Sequence, residues 1–185
     1  MLLYLIGGKA RHGKDTLADM MQAEFEKEGL KVARNQISKT IKNYVKDYFG
    51  WDGSEETKPR KLLQELGTDI IRVKLNKPDL FINRVIEDIC VLEEFFDVLI
   101  ISDIRFSDEF IKISKAYPKA KKILIERPNY ESVLDAKEKQ HATETGLLNY
   151  HDYDYIVSND QDLKHLEILA KEIVRKELKN ETLKS

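Results

Sequence analysis

Cysteine is nearly absent from the sequence, since Cys90 is the single one among 185 residues. One cysteine cannot form an internal disulfide, so the chain lacks the cross-links that are typical of secreted domains, and a reducing, cytoplasmic location is expected. Cys90 lies in an apolar stretch with helical spacing. We therefore expect it to be a small core residue rather than a nucleophile.

Long hydrophobic runs are also missing. The longest nearly apolar stretch, residues 95–101, contains Asp97 and is far shorter than the roughly 20 residues that cross a bilayer. The first six residues are apolar but lead directly into glycines and charges, which does not resemble a signal peptide. The sequence therefore predicts no membrane partner.

No charge of one sign dominates, because 31 Lys and Arg residues oppose 33 Asp and Glu residues, with a formal net charge of −2. A dedicated nucleic-acid-binding protein usually carries a large basic surplus, so a nucleic acid polymer is not an expected partner, although local basic clusters can bind small anions. The length and an apolar fraction of 42% fit one domain with a substantial core. The composition leaves the oligomeric state undecided, and a homodimer stays open.

The strongest local pattern is a glycine-rich loop between an apolar run and a helical pattern. Gly8, Gly13 and Lys14 fit the spacing G-x-x-x-x-G-K, in which glycines let backbone N–H groups turn toward phosphate oxygens. The helix that follows adds N–H donors and the positive end of its dipole. Arg11 and His12 lie inside the loop, where we expect them to overhang the phosphates. For His12, a side chain that faces solvent is an equal alternative.

The loop departs from the usual pattern after its lysine. A P-loop commonly continues with Ser or Thr, whose hydroxyl binds magnesium, whereas this chain continues with Asp15 and Thr16. Phosphates repel a carboxylate unless a cation or a basic group intervenes, so we expect Asp15 to point away from them or to reach Mg²⁺ through water. Thr16 can donate its hydroxyl to a phosphate oxygen. Such a loop is more typical of small-molecule kinases than of GTPases or motor ATPases.

Five apolar runs alternate with helical patterns, and they cover residues 2–6, 31–37, 97–103, 122–126 and 153–158. This alternation predicts an α/β fold, in which helices flank a five-stranded parallel sheet with right-handed crossovers. Ligands of such sheets bind beyond the carboxyl ends of the strands. The polar residues that follow the second to fifth runs at this edge are Ser38, Lys39, Asp103, Arg105, Arg127, Asn159 and Asp160.

Asp103 ends the third apolar run, where the second acidic motif of P-loop proteins lies, and it could hold Mg²⁺ directly or through water. Arg105 lies near the same edge. The alternatives are a helix N-cap for Asp103 and a surface salt bridge for Arg105. Arg72 lies one helical turn after Thr68-Asp69, a position that is by itself more typical of a solvated helix charge than of a ligand.

Residues 129–150 form a long polar segment between the fourth and fifth runs, without a strong apolar face. We predict a lid, because closure over a kinase site excludes water from phosphoryl transfer, while a surface excursion is the alternative. His141 and Glu144 within it have a spacing that is compatible with metal binding, but no third ligand is evident.

Four blocks of sequence together resemble the deoxynucleoside monophosphate kinases of bacteriophages and bacteria. They are residues 8–16 with the ending Gly-Lys-Asp-Thr, residues 63–72, residues 98–109, and residues 141–144 followed by 153–160. The blocks span nearly the whole chain in the order that the family has. The family often has proline-asparagine where this chain has Ser107-Asp108, which is a departure at that turn.

The resemblance implies a single P-loop domain over residues 1–185 that is similar to nucleoside monophosphate kinases. Its core would comprise residues 1–36, 95–128 and 151–180, its acceptor-binding helical region residues 37–94, and its lid residues 129–150. It implies transfer of the γ-phosphate of ATP, with Mg²⁺, to a deoxynucleoside monophosphate. Two other functions stay open: another small-molecule kinase, similar to phosphomevalonate kinase, and a non-catalytic ATP-binding regulatory protein.

Together with the loop itself, the resemblance gives a set of expected site residues. Those for ATP are Gly8, Arg11, His12, Gly13, Lys14, Asp15, Thr16 and Asn159. Those for the acceptor are Lys39, Arg72, Asp103, Arg105, Glu109, His141 and Glu144. The expected catalytic groups are Lys14, Arg105 and Arg127, and the expected magnesium ligands are Asp103 and, through water, Asp15.

Overall fold

The structure, a computed structural model, describes residues 1–128, 130 and 142–182. Its strands within these residues are β1 (Leu2–Gly7), β2 (Val32–Asn35), β3 (Val98–Ile104), β4 (Lys121–Glu126) and β5 (Tyr155–Ser158). Its helices there are α1 (Lys14–Lys27), α2 (Lys39–Phe49), α3 (Arg60–Gln64), a π-helix (Glu65–Lys74), α4 (Leu80–Leu92), α5 (Ser107–Ala116), α6 (Ala142–Thr145) and α7 (Leu163–Thr182).

The strands of the described part form one five-stranded sheet in the order β2-β3-β1-β4-β5, and every neighbouring pair is parallel. This confirms the predicted fold class. Strand β1 lies at the centre between β3 and β4. The loop that follows β1 therefore leaves the middle of the sheet, with the carboxyl ends of two other strands on either side of it.

Alternate residues of the central strands contribute to two separate hydrophobic cores. Leu3 and Leu5 of β1 face a cluster that includes residues of α2, the π-helix, α4 and α5. Tyr4 and Ile6 face the opposite cluster, which is built by α1 and α7. Helices on both faces explain why the runs in β1 and β3 are continuously apolar, since both sides of a parallel strand are buried.

The helical region after β2 differs from its prediction. The sequence indicates one helix after Pro59 with Gly67 midway, whereas the structure has the short helix α3 followed by a ten-residue π-helix. Gly67 lies within this π-helix close to α2, because a Cβ atom there would be 3.0 Å from the Cδ1 of Ile41. The wider turn and the missing side chain let the segment pack against α2.

Cys90 is exposed, and its Sγ lies 3.1 Å from the hydroxyl of Tyr117. The prediction that it is a core residue is therefore wrong. Helix α4 buries Phe81, Ile82, Val85 and Ile89, and this stripe leaves position 90 on its other side. Among the residues that the structure describes, no helix is both long and apolar enough to cross a membrane.

Of the predicted lid, residues 129–150, the structure describes residue 130 and residues 142–150. Here helix α6 is followed by Gly146, whose carbonyl accepts a hydrogen bond from the Ser107 N–H at 3.1 Å. Tyr150 stacks on Phe110 of α5, with ring centroids 5.2 Å apart. His141 lies outside the described residues. A lid over 129–150 stays a prediction.

Candidate active site

The loop between β1 and α1 has the close backbone packing that its glycines permit. A Cβ atom on Gly8 would lie 2.4 Å from the carbonyl oxygen of Ile125 in β4. Gly13 has a φ of +101°, and a Cβ atom there would lie 2.7 Å from the side-chain nitrogen of Asn159. The loop is thus held against the ends of β4 and β5 at positions that admit no side chain.

Lys14 is the first residue of α1 and is buried, with 5% of its surface exposed. Its ammonium donates hydrogen bonds to the carbonyl oxygens of Gly8 at 2.9 Å and Lys9 at 2.6 Å. These contacts draw the side chain back over the loop and hold the positive charge within it. A phosphate bound by the loop would meet this ammonium directly.

His12 is tied to the ends of two strands. Its carbonyl oxygen accepts a hydrogen bond from the amide of Asn159 at 3.0 Å, and its Nδ1 accepts one from the backbone N–H of Arg127 at 3.1 Å. The guanidinium of Arg127 lies 4.9 Å from the ring centroid of Tyr130. His12 and Asn159, which are expected at the donor site, and Arg127, which is expected to be catalytic, therefore lie together at one side of the loop.

Asp15 hydrogen-bonds to a residue that the sequence analysis did not single out. The hydroxyl of Ser102 in β3 donates to Asp15 Oδ1 at 2.7 Å. Arg34 of β2 donates in turn to the Ser102 hydroxyl at 3.1 Å, and its Nη2 is 3.8 Å from Asp15 Oδ1. The second nitrogen of this guanidinium donates to Asp19 at 2.6 Å. The pairing joins three elements, so a local sequence pattern could not have indicated it.

Asp103 has both carboxylate oxygens occupied by the turn between β2 and α2. Oδ1 accepts the N–H of Ile37 at 2.7 Å, and Oδ2 accepts the N–H and the hydroxyl of Ser38 at 3.0 and 2.6 Å. Ser38 directly precedes α2, but its hydroxyl bonds to Asp103 and does not cap the helix. Asp103 thus fixes the start of α2.

A cavity of about 590 Å³ runs from the P-loop to the helical region after β2. On the loop side its lining includes Arg11, Gly13, Lys14, Asp15 and Thr16. On the far side its lining includes Gln36, Ser38, Ile41, Lys42, Leu63, Gln64, Thr68, Arg72, Asp103, Arg105, Phe106 and Glu109. One continuous space therefore contains most of the residues that the sequence analysis assigns to the donor and to the acceptor.

Arg72 is held by a buried carboxylate and an aromatic ring. Its Nη2 lies 2.6 Å from Oε1 of Glu109, whose side chain is 2% exposed, and its guanidinium carbon lies 4.2 Å from the ring centroid of Phe106. Burial raises the pKa of the Glu109 carboxyl, while hydrogen bonds from the N–H groups of Arg105 and Phe106, together with Arg72, act in the opposite direction. Glu109 thus orients Arg72 at the wall of the cavity.

Arg105 connects the two ends of the cavity. Its backbone N–H donates to Glu109 Oε2 at 2.7 Å, and its guanidinium reaches the carbonyl oxygen of Gly8 at 3.4 Å. Lys39 lies elsewhere: it is exposed, and its ammonium is 3.5 Å from Asp88. Lys42, one turn further along α2, lines the cavity instead.

Three cavity-lining cations were missed by the sequence analysis, namely Lys42, Lys58 and Arg60. Lys42 donates to Gln36 at 2.6 Å, and burial lowers the pKa of its ammonium. Lys58 and Arg60 both contact Glu55, at 2.5 and 3.5 Å. Lys58 ends a polar loop and Arg60 begins α3, and neither position carries a local pattern that would have singled it out.

A second cavity of about 690 Å³ lies on the other side of the P-loop. Its lining includes Lys9, His12, Arg127, Tyr130 and His151. Arg127 therefore faces a different space from Arg72, although Arg105 lines both cavities.

The described residues contain no group of three or more His, Cys, Asp or Glu side chains that could hold a metal ion. The predicted pair of His141 and Glu144 is not covered, because His141 and the Glu144 side chain are outside the described part of the chain. A metal at this site would depend on few protein ligands and on the phosphates of its substrates.

Comparison with solved structures identifies proteins with a similar fold at low sequence identity. The Mycobacterium tuberculosis APS kinase in complex with AMPPNP and APS is 8% identical with a TM-score of 0.56, covering 94% of this chain and 96% of that one. A gluconokinase from Sinorhizobium meliloti 1021 is 13% identical with a TM-score of 0.53, covering 100% and 97%. Shikimate kinase from Aquifex aeolicus is 16% identical with a TM-score of 0.51, covering 100% of both chains.

Sequence comparison identifies the family. No curated protein matches the chain significantly, but the family model described as deoxynucleotide monophosphate kinase matches residues 50–170, more than half of the chain. The match begins after the P-loop, so the loop motif and the family match are separate observations. The chain belongs to the deoxynucleotide monophosphate kinase family, and it is a kinase, an enzyme that binds a nucleotide and transfers a phosphoryl group.

Proposed function

We propose that the protein transfers the γ-phosphate of ATP to a deoxynucleoside monophosphate and releases the corresponding diphosphate. The continuous cavity carries this proposal, because Lys14 and Thr16 line it at one end and Arg72 and Phe106 line it toward the other. Direct phosphoryl transfer needs donor and acceptor to meet in line within one space. The family supports a deoxynucleotide as the acceptor.

The donor half is the P-loop with its neighbours. Backbone N–H groups between Gly8 and Thr16 and the start of α1 would bind the phosphates of ATP. Lys14 would exchange its carbonyl contacts for phosphate oxygens. Arg11, His12, Asn159 and Arg127 would flank the rest of the donor, since they lie within or beside the same loop.

The donor set fits Mg²⁺ bound chiefly through Asp15. Mg²⁺ usually keeps several waters and uses one or two carboxylates together with substrate phosphates, and Asp15 lines the cavity with 69% of its side chain exposed. Asp103 is a weaker candidate, because three protein donors already occupy its oxygens. When bound, Mg²⁺ would neutralise charge that develops on the phosphates.

The acceptor half lies between α2, α3, the π-helix and the start of α5. Arg72 and Arg105 would hold the acceptor phosphate, since a guanidinium fork matches pairs of phosphate oxygens. Glu109 would act as a positioning residue for Arg72 rather than as a ligand, because it is buried and paired. The base would lie among apolar and neutral polar side chains, namely Ile41, Leu63, Gln64, Thr68 and Phe106.

No general base is needed in this scheme, because the acceptor phosphate is already an anionic nucleophile and orientation supplies most of the rate. In this proposal, residues 1–36, 95–128 and 151–180 form the core, 37–94 bind the acceptor, and 129–150 form the lid. Arg105 would contact the acceptor phosphate beside the P-loop, and Arg127 would act from the lid boundary.

A panel of acceptors tests the function. Purified protein with ATP and Mg²⁺ is given each of the four deoxynucleoside monophosphates, their ribonucleotide counterparts and an isoprenoid phosphate, and ADP release is followed. We expect turnover with at least one deoxynucleoside monophosphate. Turnover with the isoprenoid phosphate alone would make the protein another small-molecule kinase. ATP binding without turnover on any acceptor would favour a regulatory protein.

Substitution of the two arginines tests the acceptor assignment. Arg105→Ala should cost roughly 2–4 kcal/mol in acceptor kcat/KM and leave ATP affinity much less affected. Arg72→Ala would leave Glu109 buried without its partner, so Arg72→Lys, which keeps the charge and removes the fork, is the sharper variant. Arg84→Ala on the exposed face of α4 is the matched control. If the variants lose ATP affinity instead, these arginines serve the donor, and our assignment of the donor and acceptor halves of the cavity is reversed.

A further inference from the structure

The P-loop helix and the neighbouring strand of this protein place a carboxylate and a hydroxyl in contact with each other. In many P-loop proteins the helix supplies a hydroxyl and a nearby strand supplies a carboxylate, and both serve Mg²⁺. Here α1 supplies the carboxylate of Asp15 and β3 supplies the hydroxyl of Ser102, joined at 2.7 Å. Asp15 thus puts a negative charge one residue after Lys14.

A carboxylate at this position opposes a bound triphosphate, since like charges a few ångströms apart repel each other. The positive charge of Arg34 lies at the right place to offset it. Its Nη2 is 3.8 Å from Asp15 Oδ1, and its side chain is 23% exposed. Partial burial reduces screening by solvent, so the charge acts on its neighbours more strongly than a surface arginine would.

The contacts of Arg34 also fix the direction of the carboxylate. Because Ser102 accepts a hydrogen bond from Arg34, its own proton is directed to Asp15 Oδ1. Asp15 Oδ2 has no hydrogen-bond partner within the described part of the chain and is available to the cavity that Asp15 lines. Asp19 accepts a hydrogen bond from the other nitrogen of the guanidinium at 2.6 Å and keeps Arg34 in place. The positive charge of Arg34 is thus shared between Asp15 and Asp19.

We propose that Arg34 is the resident counter-charge of Asp15 and sets how strongly Mg²⁺ and ATP depend on each other. Without metal, Arg34 offsets the repulsion between Asp15 and the phosphates. With Mg²⁺ bound, the metal would supply this positive charge, and Arg34 would repel the cation. Removing the positive charge of Arg34 should therefore weaken the binding of metal-free ATP. It should also enlarge the factor by which Mg²⁺ raises the affinity for ATP. The inference rests on the proposed donor site.

The test is the dissociation constant of ATP, measured by calorimetry or with a fluorescent analogue, in excess EDTA and in saturating Mg²⁺. The readout is the constant in EDTA divided by the constant in Mg²⁺, and its measurement does not require catalysis. We expect Arg34→Gln to raise this ratio by roughly three- to tenfold, mainly through weaker metal-free binding. Arg34→Lys should keep the ratio near that of wild type. Arg175→Gln, an exposed arginine of α7 near Glu24, removes the same charge elsewhere and is the matched control.

A double-mutant cycle separates a charge effect from a folding effect. In an Asp15→Asn background the carboxylate is gone, so Arg34→Gln should change the ratio by less than about twofold. An unchanged ratio in the single variant, or an equal change in both backgrounds, would overturn the proposal. If the wild-type protein binds ATP under neither condition, the donor site itself is wrong, which is a distinct result.

Discussion

At the scale of single residues, Asp103 and Asp15 stand at the same edge of the sheet but have different surroundings. Asp103 bonds to three donors of the turn between β2 and α2, whereas Asp15 is exposed to the cavity. Sequence position alone makes both plausible metal ligands. These hydrogen bonds are the reason that we propose Asp15, and not Asp103, as the main protein ligand of Mg²⁺.

We expect Asp103→Asn to lower the free energy of unfolding by about 1–3 kcal/mol, because the amide group would face an N–H donor. The dependence of ATP binding on Mg²⁺ should stay as in wild type. Urea denaturation and ATP titration measure the two effects, and Asp108→Asn on the exposed start of α5 is the control. Full stability together with a lost Mg²⁺ effect would mean that Asp103 binds the metal.

We expect Lys42 to make acceptor binding dependent on pH. Burial lowers the pKa of its ammonium below the ordinary 10.5. Between the lowered value and 10.5 the unfolded chain holds a proton that the folded protein has lost, so stability should rise with pH in that window. Binding of the acceptor works in the opposite sense, because an anionic phosphate favours the protonated ammonium.

The acceptor KM should therefore rise as pH increases through the lowered pKa of Lys42. In Lys42→Arg, which stays charged, the KM should be much flatter over the same alkaline range. Lys39→Met removes a neighbouring lysine that points to Asp88 and should keep the wild-type slope. A slope that persists in Lys42→Arg would show that another group titrates.

At the scale of elements, the P-loop depends on close contact between its glycines and two strands. Gly8→Ala would force a methyl group against the carbonyl oxygen of Ile125 at 2.4 Å. Gly29→Ala is the matched control, since Gly29 has a φ of +79° with nothing within 4 Å. The control should lose about 1–2 kcal/mol of stability from backbone strain, and Gly8→Ala a further ~1–3 kcal/mol from the contact. Equal losses of unfolding free energy in Gly8→Ala and Gly29→Ala, measured by denaturation, would contradict this packing.

The elements differ in how far the sequence could predict them. Strand β1, the P-loop and α1 are contiguous, and local residue preferences determine each of them. The π-helix was missed, because its hydrogen bonds span only one residue more than those of an α-helix and it uses the same apolar residues. The pairing of Arg34 with Ser102 joins residues 68 positions apart. It follows from the parallel register of β2 and β3, which no local pattern encodes.

At the scale of the whole molecule, the sheet order explains how distant residues meet. With β1 central between β3 and β4, the P-loop, Arg105 and Arg127 necessarily emerge side by side, as the parallel-sheet rule predicts. The residues that come from the helical region are different. Arg72 could be predicted only through the family resemblance, and Lys58 and Arg60 not at all, because their approach depends on how the π-helix and α3 pack on α2.

The central claim is that γ-phosphate passes from ATP, held by the P-loop, to a deoxynucleoside monophosphate in the same cavity. Its most direct measurement is a single-turnover reaction with ATP labelled at the γ-phosphate, Mg²⁺ and the accepted monophosphate, in wild type and in Lys14→Ala. We predict that the label appears on the β-phosphate of the deoxynucleoside diphosphate in wild type. Lys14→Ala should slow this transfer by roughly a hundredfold or more with its fold intact, because the lysine stabilises charge in the transition state. Label found in inorganic phosphate alone, or near-normal transfer by Lys14→Ala, would contradict the account.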